Sequence, residues 1–384
     1  MNVPKLRFKE FKDEWSTIEL SKISSEISYG MGLPSKEYDG INKYIRITDI
    51  DENTSKYTNK DIVSPDGELE DKYIVKKNDI LFARTGASTG KTYLYDKKDG
   101  KLYYAGFLIK ANIINHDANF IFQQTHTSKY NKWIKVMSMR SGQPGINSQE
   151  YGSYKFSITS KTEEYKISKT LQLLDKKIEL QTKKIEDLKL FKLYTKNQIF
   201  KDYDESFKLK DILVKWNKKN KNNSVKYVES ISNKYGFISQ SDQFEDRNVA
   251  SKDLNNYYII EKGVFGYNPS RLNVGSLALK TNDKVSVVSP LYECFTTSQN
   301  NQYLLEWFDS KYFRKETISK FEGGVRNTLN FSNLCEIEIG LPTIEKQNMY
   351  SRIFKIFNNK IEFEVKKLYK LQELKKGLLQ SMFV

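Results

Sequence analysis

The chain has few of the residues that build disulfides, metal sites and catalytic centres. It contains two cysteines and two histidines among 384 residues. Cys294 and Cys335 are too few for a disulfide framework and lack the spacing of metal ligands. His116 and His126 both lie in the first half, and no catalytic triad accompanies them. These shortages argue against an enzyme and against a metal site.

Long apolar runs are also missing. No stretch approaches membrane-spanning length, and the N-terminal segment lacks the apolar core of a signal peptide. We therefore expect a protein of the reducing cytoplasm with no membrane partner.

Positive charge is in excess. Lysine and arginine total 63 against 48 acidic residues, which gives a net charge of +15. Such an excess points to a polyanion, and nucleic acid is favoured because no helix combines a basic face with a large apolar one. Only nine of the basic residues are arginines. Because arginine can read a guanine edge with two parallel hydrogen bonds, its positions narrow the search for a site.

One plan occurs twice along the chain. Each half contains a short amphipathic segment, a strand-like segment (43–50 and 226–231), a hairpin with a Gly-rich tip, an aromatic helical patch and a Gly/Asn loop. Aligning Asn147 with Asn330 gives an offset of 183, because 330 − 147 = 183. A repeat of this length predicts a tandem duplication of whole domains.

A long helix ends each half. Apolar residues alternate at spacings of three and four, which is the pattern of a coiled-coil seam. Polar residues interrupt both series at the same places, Gln181 with Glu364 and Lys192 with Lys375. Two ordinary amphipathic helices would have no reason to share this register, so we predict that the helices pair with each other. The predicted seam consists of Leu171, Leu174, Ile178, Ile185, Leu188, Phe354, Phe357, Ile361, Leu368 and Leu371.

Four arginines fall on repeated loops. Arg84 and Arg271 lie in matching hairpin tips, and Arg140 and Arg326 lie on or beside the Gly/Asn loops. Arg, Asn and Gln can bind base edges, and a Gly-rich tip can approach phosphate closely, although any single arginine could equally form a surface ion pair. The predicted DNA-binding residues are Arg84, Thr85, Ser88, Lys91, Arg140, Gln143, Asn147, Arg271, Asn273, Arg326, Asn327 and Asn330.

Motifs that resemble catalytic sites are incomplete. The segment Gly86–Thr92 is similar to a phosphate-binding P-loop but has three residues between its glycines, where that loop needs four. Asn268-Pro269 lacks the second proline and the aromatic residue of the base-positioning motif of amino-methyltransferases. A binding protein is favoured. A self-contained DNA methyltransferase or nuclease, and a coiled-coil scaffold with no DNA role, remain as alternatives.

The whole arrangement resembles the specificity subunit of type I restriction-modification systems. The likeness covers nearly the entire chain, although Ser160-Lys161-Thr162 replaces a usual Leu-Pro pair and KYVESIS (226–232) replaces the KYIRITDI core in the second half. The segments that carry it are RFKEFKDEW (7–15), KYIRITDI (43–50), DILFARTGASTGKTYLY (79–95), LLDKKIELQTKKIEDLK (173–189), LPTIEKQ (341–347) and FNNKIEFEVKKLYKLQELKKGLLQ (357–380).

The resemblance implies an α+β fold with two α/β target recognition domains, separated by two long antiparallel helices that form a coiled coil, in a pseudo-two-fold internal repeat. We place the first recognition domain at 1–160 and the central spacer helix at 161–205. The second recognition domain is placed at 206–342 and the C-terminal spacer helix at 343–384.

The resemblance also implies a function. Each domain would read one half of a bipartite, asymmetric double-stranded DNA target, and the helices would dock two methyltransferase subunits. Two restriction-translocase subunits would join the full complex. The chain itself would be non-catalytic and bind no cofactor, with S-adenosylmethionine, ATP and Mg²⁺ expected on the partner subunits. A 38-residue helix measures about 57 Å and so exceeds the ~34 Å of one DNA turn.

Overall fold

The computed structural model describes residues 3–139, 142–233, 235–239, 253–274, 276–318 and 328–384. It consists of two compact units. The first unit combines Met1–Thr182 with Lys366–Val384, and the second is Lys183–Val365. Within the described ranges, no helix is both long and apolar enough to cross a membrane.

The first globular copy is a set of short strands followed by helices. Its central antiparallel sheet has the strand order β2-β9-β6-β7, while β1 pairs with β10, β3 with β5, and β4 with β8. The elements are β1 (Ser16–Glu19), β2 (Ser24–Tyr29), β3 (Ser35–Glu37), β4 (Lys43–Ile45), β5 (Val63–Pro65), β6 (Asp79–Ala83), β7 (Thr92–Leu94), β8 (Leu102–Tyr104), β9 (Leu108–Ile113), α1 (Ala118–Gln124), α2 (Ser128–Met137), α3 (Ser148–Ser153), β10 (Lys155–Ile158) and the long helix α4 (Lys161–Ile199).

The second globular copy repeats the four-stranded sheet and the terminal strand pair, while its small sheets pair β13 with β14 and β15 with β18. Its sheet order β12-β19-β16-β17 matches that of the first copy, and β11 pairs with β20 as β1 does with β10. The elements are β11 (Glu205–Lys208), α5 (Leu209–Ile212), β12 (Leu213–Lys215), β13 (Glu229–Ser232), β14 (Gly236–Ser239), β15 (Tyr258–Ile260), β16 (Phe265–Tyr267), β17 (Leu277–Leu279), β18 (Ser286–Val288), β19 (Glu293–Thr297), α6 (Asn301–Phe308), α7 (Lys311–Ile318), α8 (Phe331–Cys335), β20 (Glu338–Leu341) and the long helix α9 (Ile344–Ser381).

The offset of 183 is preserved in the helices. The starts of α1 and α6, of α3 and α8, and of α4 and α9 differ by 301 − 118, 331 − 148 and 344 − 161, which all equal 183. The first two pairs also begin alike. Asp117 and Asn300 cap α1 and α6, Asn147 and Asn330 cap α3 and α8, and each side chain accepts a hydrogen bond from the backbone N–H three residues on. The predicted α+β fold and internal repeat are therefore confirmed.

The strand predicted at 43–50 is shorter than expected. Strand β4 ends at Ile45, and a 3₁₀ helix covers Ile47–Asp49. The carboxylate of Asp49 accepts hydrogen bonds from the backbone N–H of Arg46 at 2.9 Å and from its guanidinium at 2.8 Å. This local bonding closes a turn that competes with the extended backbone.

The long helices pair antiparallel in the second unit. The Lys184 Nζ lies 2.6 Å from the Glu364 carboxylate, and the rings of Phe191 and Phe357 are 5.5 Å apart. Residues further along α4 thus contact residues nearer the N-terminus of α9, as expected of antiparallel helices. All ten predicted seam residues are buried or half-buried, and so are Gln181 and Glu364.

Each globular core is completed by a phenylalanine that follows the end of a long helix. In the first unit, Phe383 packs on Trp15 and Phe120 at ring distances of 6.3 and 5.3 Å. In the second unit, Phe200 packs on Tyr303 at 5.3 Å and on Phe354 at 5.9 Å. These two phenylalanines are equivalent, since 383 − 200 = 183.

Candidate nucleic-acid interface

Two predicted loops of the first copy lie side by side. The backbone N–H of Ile146 donates to the Arg84 carbonyl, and the N–H of Gly86 donates to the Pro144 carbonyl, both at 2.9 Å. Gly86 has a φ of +68°, and a Cβ there would lie 2.9 Å from Nε2 of Gln143. The positive φ favours glycine here, while the Gln143 amide is the end of a flexible side chain that could move aside. The hairpin tip and the Gly/Asn loop, far apart in sequence, form one surface.

Arg84 is held firmly in this surface. Its backbone N–H donates to the Phe107 carbonyl at 3.0 Å. Its guanidinium carbon lies 4.8 Å from the centre of the Tyr29 ring, and Nη1 donates to the Gly106 carbonyl at 3.4 Å. Within the described part of the chain, no carboxylate pairs with this arginine. A half-buried, stacked guanidinium without an acidic partner is suited to an anionic or base-edge ligand.

Two aromatic residues at this site were not predicted. The Tyr29 side chain is 39% exposed and that of Phe107 is 58% exposed. Burial acts to raise the pKa of Tyr29, but the hydrogen bond from the Ser148 N–H and the charge of Arg84 outweigh it, so the pKa is lowered. In sequence, an aromatic residue beside a strand end is indistinguishable from a core residue, which left no signal for these two.

The other predicted residues of the first copy have mainly local contacts. Thr85 forms a β-bridge with Gly145, and the Ser88 carbonyl accepts from the Lys91 N–H at 3.0 Å. Asn147 is the N-cap of α3, because its side-chain oxygen accepts from the Glu150 N–H at 2.9 Å. Its side-chain oxygen therefore has a structural use whether or not the residue also contacts DNA. Arg140 lies outside the described residues.

The same two loops are joined in the second copy. The Leu329 N–H donates to the Pro269 carbonyl at 3.1 Å, as the Ile146 N–H donates to Arg84 in the first copy. The donors Ile146 and Leu329 are equivalent, since 329 − 146 = 183. Their acceptors, Arg84 and Pro269, are therefore equivalent as well. The alignment of Arg84 with Arg271 is therefore displaced by two residues. The shift runs through the whole tip, because the Asn268 N–H donates to the Ser276 carbonyl as the Ala83 N–H donates to that of Lys91, and both residues of this pair are offset by 185.

The remaining predicted residues of the second copy lie around this tip. Arg271 is exposed on the 3₁₀ helix Pro269–Val274, which also includes Asn273. Asn330 is the N-cap of α8 and accepts from the Asn333 N–H at 2.8 Å, as Asn147 does for α3. Arg326 and Asn327 lie outside the described residues.

The family match covers the site of the first copy. Residues 13–190 match the type I restriction modification DNA specificity domain. This segment, slightly less than half of the chain, is similar to that domain. The matched segment includes both joined loops of the first copy and most of α4, and DNA specificity is the role that the description of the matched domain gives.

Solved structures extend the likeness to the whole chain. The type I restriction-modification system S subunit from M. genitalium is 15% identical, with a TM-score of 0.62, over 100% of this chain and 99% of that one. A chain from a type I R-M system, studied for complex assembly and conformational transition, is 14% identical, with a TM-score of 0.55, over 96% and 97%. At these identities the likeness shows a shared fold and nothing more.

Metal-binding chemistry has no evident site in the described ranges. No three His, Cys, Asp or Glu side chains are grouped there in a way that could hold a metal ion. Cys294 is buried, which raises the pKa of its thiol to about 12.

Proposed function

We propose that the chain is the specificity subunit of a type I restriction-modification complex and reads a bipartite DNA target. The first copy would contact one half-site with the loops 84–91 and 142–148. The second would contact the other half-site with its equivalent loops around 268–276 and 328–330. The observation that carries this proposal is the matched backbone hydrogen bond that joins the same two loops in both copies.

The target should be asymmetric. Arg84, stacked on Tyr29, has Pro269 as its equivalent, so the two copies present different chemistry at corresponding places. The 39-residue helix α4 is about 58 Å long, which exceeds the ~34 Å of one DNA turn and suits half-sites separated by unread bases.

Selection of bound DNA from a random duplex library tests this reading. The full chain should select a two-part, non-palindromic motif, and Arg84→Lys should alter one half only. Arginine that reads guanine would relax one position on substitution, whereas arginine that binds phosphate would lower affinity evenly over all sequences. Arg314→Lys, an exposed arginine of the second copy beside Asp309, is the control. A single palindromic motif, or no motif, would refute the proposal.

The long helices also offer a repeated docking surface. Leu173 and Leu180 lie seven residues apart on α4, and Ile356 and Phe363 lie seven apart on α9. All four side chains are between 55% and 64% exposed. The pairs are equivalent, since 356 − 173 and 363 − 180 equal 183. Single exposed apolar residues are common, but a repeated pair favours binding of two copies of one partner, here the methyltransferase subunit.

Charge insertion tests the docking surface. Leu180→Asp and Phe363→Asp should each remove one methyltransferase subunit from the complex, and the double variant should remove both, as measured by native mass spectrometry. Leu190→Asp is the matched control, because Leu190 is 64% exposed but its equivalent is Glu373. Equal losses from all three single variants would contradict a specific surface.

We assign no catalysis to this chain. S-adenosylmethionine, ATP and Mg²⁺ are placed on the methyltransferase and restriction-translocase subunits, two of each in the full cytoplasmic complex. The purified chain alone should bind duplex DNA without methylating or cleaving it. Methyl transfer or cleavage by the chain after its separation from all partner subunits would favour a self-contained enzyme.

A further inference from the structure

A lysine connects each globular copy to the helix pair. In the first unit, Lys375 of α9 lies with Nζ 2.6 Å from the carboxylate of Asp175 on α4. The other oxygen of Asp175 accepts from Nε2 of Gln123, on α1, at 2.9 Å. We call Gln123, Asp175 and Lys375 the first joint. It links a globular helix to both long helices.

The second unit has the same joint with its parts exchanged. Lys192 of α4 donates to the Glu306 carboxylate, on α6, and to the amide oxygen of Asn358, on α9, both at 2.8 Å. Nδ2 of Asn358 donates to Glu306 at 3.2 Å. We call Glu306, Asn358 and Lys192 the second joint.

The exchange follows the internal repeat. Gln123 is equivalent to Glu306, Asp175 to Asn358, and Lys192 to Lys375, with 306 − 123, 358 − 175 and 375 − 192 all equal to 183. In the first joint the acid is on the long helix and the amide on the globular copy. In the second joint these positions are reversed. Each joint has one acid, one amide and one lysine. In the second joint the Glu306 carboxylate also accepts from Nζ of Lys196, on α4, at 3.3 Å, and Lys196 donates to Asp309 at 2.8 Å.

Burial explains why one acid is present in each case. The side chains of Glu306 and Lys192 are 7% and 19% exposed, and those of Asp175 and Lys375 are 28% and 21% exposed. A shielded lysine without a carboxylate would leave an uncompensated charge, and two carboxylates around one lysine would leave the opposite charge in excess. The place of the acid can change, but the lysine of each joint keeps one carboxylate, and the additional Lys196 of the second joint has Asp309 as its own partner.

We propose that Lys192 and Lys375 are positioning residues that fix each globular copy on the helix pair. Each lysine comes from the long helix that follows the other copy, so each joint ties together segments distant in sequence. The joint requires one carboxylate, which either the globular helix or the long helix can supply. The consequence for DNA, a fixed distance between the two half-sites, rests on the proposed function.

Relocating the charge tests this proposal. Asp175→Asn should leave Lys375 between two amides, while Asp175→Asn combined with Gln123→Glu should recreate the second joint within the first unit. Asp187→Asn, which removes an exposed carboxylate from the same helix, is the matched control. Each variant is made in the full chain, and its fold is checked by circular dichroism.

Two readouts separate the joint from the wider function. Hydrogen exchange across α1 (Ala118–Gln124) should accelerate about tenfold or more in Asp175→Asn, and return to the wild-type rate in the double variant. In DNA selection, Asp175→Asn should broaden the spacing between half-motifs, and the double variant should restore it.

Failure of the joint and failure of DNA reading are distinguishable. Unchanged exchange in Asp175→Asn, or a folded double variant that does not recover, would overturn the proposal. Restored exchange without any selected two-part motif in the wild type would uphold the joint and reject the proposed function. Restored exchange with unaltered half-site spacing in Asp175→Asn would overturn the positioning role.

Discussion

Phe383 should be a main source of stability for the first unit although it is next to the chain terminus. Its side chain is 8% exposed and packs on Trp15 and Phe120. Truncation of a buried phenylalanine to alanine costs ~3–5 kcal/mol, and we take the lower value of about 3 kcal/mol for Phe383→Ala. For a unit of this size that corresponds to a fall in Tm of about 6–12 °C.

Hydrogen-exchange mass spectrometry can localise the effect. Phe383→Ala should accelerate exchange in α1 of the first unit and leave α6 of the second unit unchanged. Phe200→Ala should have the reverse effect, because Phe200 is the equivalent residue in the second core. Phe383→Leu keeps most of the apolar volume and should cost less than about 1.5 kcal/mol. Equal acceleration in both units after Phe383→Ala would refute the assignment of this residue to one core.

Three further predictions concern charge. Burial, with the nearby charge of Lys375, lowers the pKa of His126 to about 4. The first unit should therefore lose stability as pH falls from about 6.5 towards 4, and thermal unfolding should show a smaller loss in His126→Gln. Burial acts to raise the pKa of Glu163, but two hydrogen bonds from Arg7 outweigh it and lower the pKa. Arg7→Met should therefore destabilise the first unit at pH 7, and much less at pH 3, which is below the ordinary pKa of 4.5. DNA affinity should fall linearly with salt on a logarithmic scale, and a weak, salt-independent interaction would favour the scaffold alternative.

Features with a repeating pattern were predictable from the sequence. The offset between Asn147 and Asn330 located the duplication, and the same offset is preserved in the structure from the short helices to the long ones. Apolar spacing predicted both long helices, with bounds that the structure places at Lys161–Ile199 and Ile344–Ser381. Such patterns can be recognised in a sequence because the spacing of apolar residues reflects which face of a helix or strand is buried.

Contacts between distant segments were not predictable. Arg84 was found as a scarce residue on a Gly-rich tip, but its stacking on Tyr29 depends on how β2 lies beside β9. Arg271 is displaced because the offset between the two tips is 185 and not 183, which only the backbone hydrogen bonds of the folded tips reveal. Lys192 and Lys375 were identified as matching interruptions of a helix pattern, while their partners became known only from the fold.

The exchanged acid and amide have a consequence for recombination between genes of this kind. A chain that received the second globular copy in place of the first would bring the equivalent of Glu306 beside Asp175, with two carboxylates facing Lys375. The reverse exchange would bring the equivalent of Gln123 beside Asn358 and leave Lys192 without an acid. New combinations of half-sites would then be inherited as working proteins only when the long helix is exchanged along with the reader, or when position 175 or 358 mutates to match it.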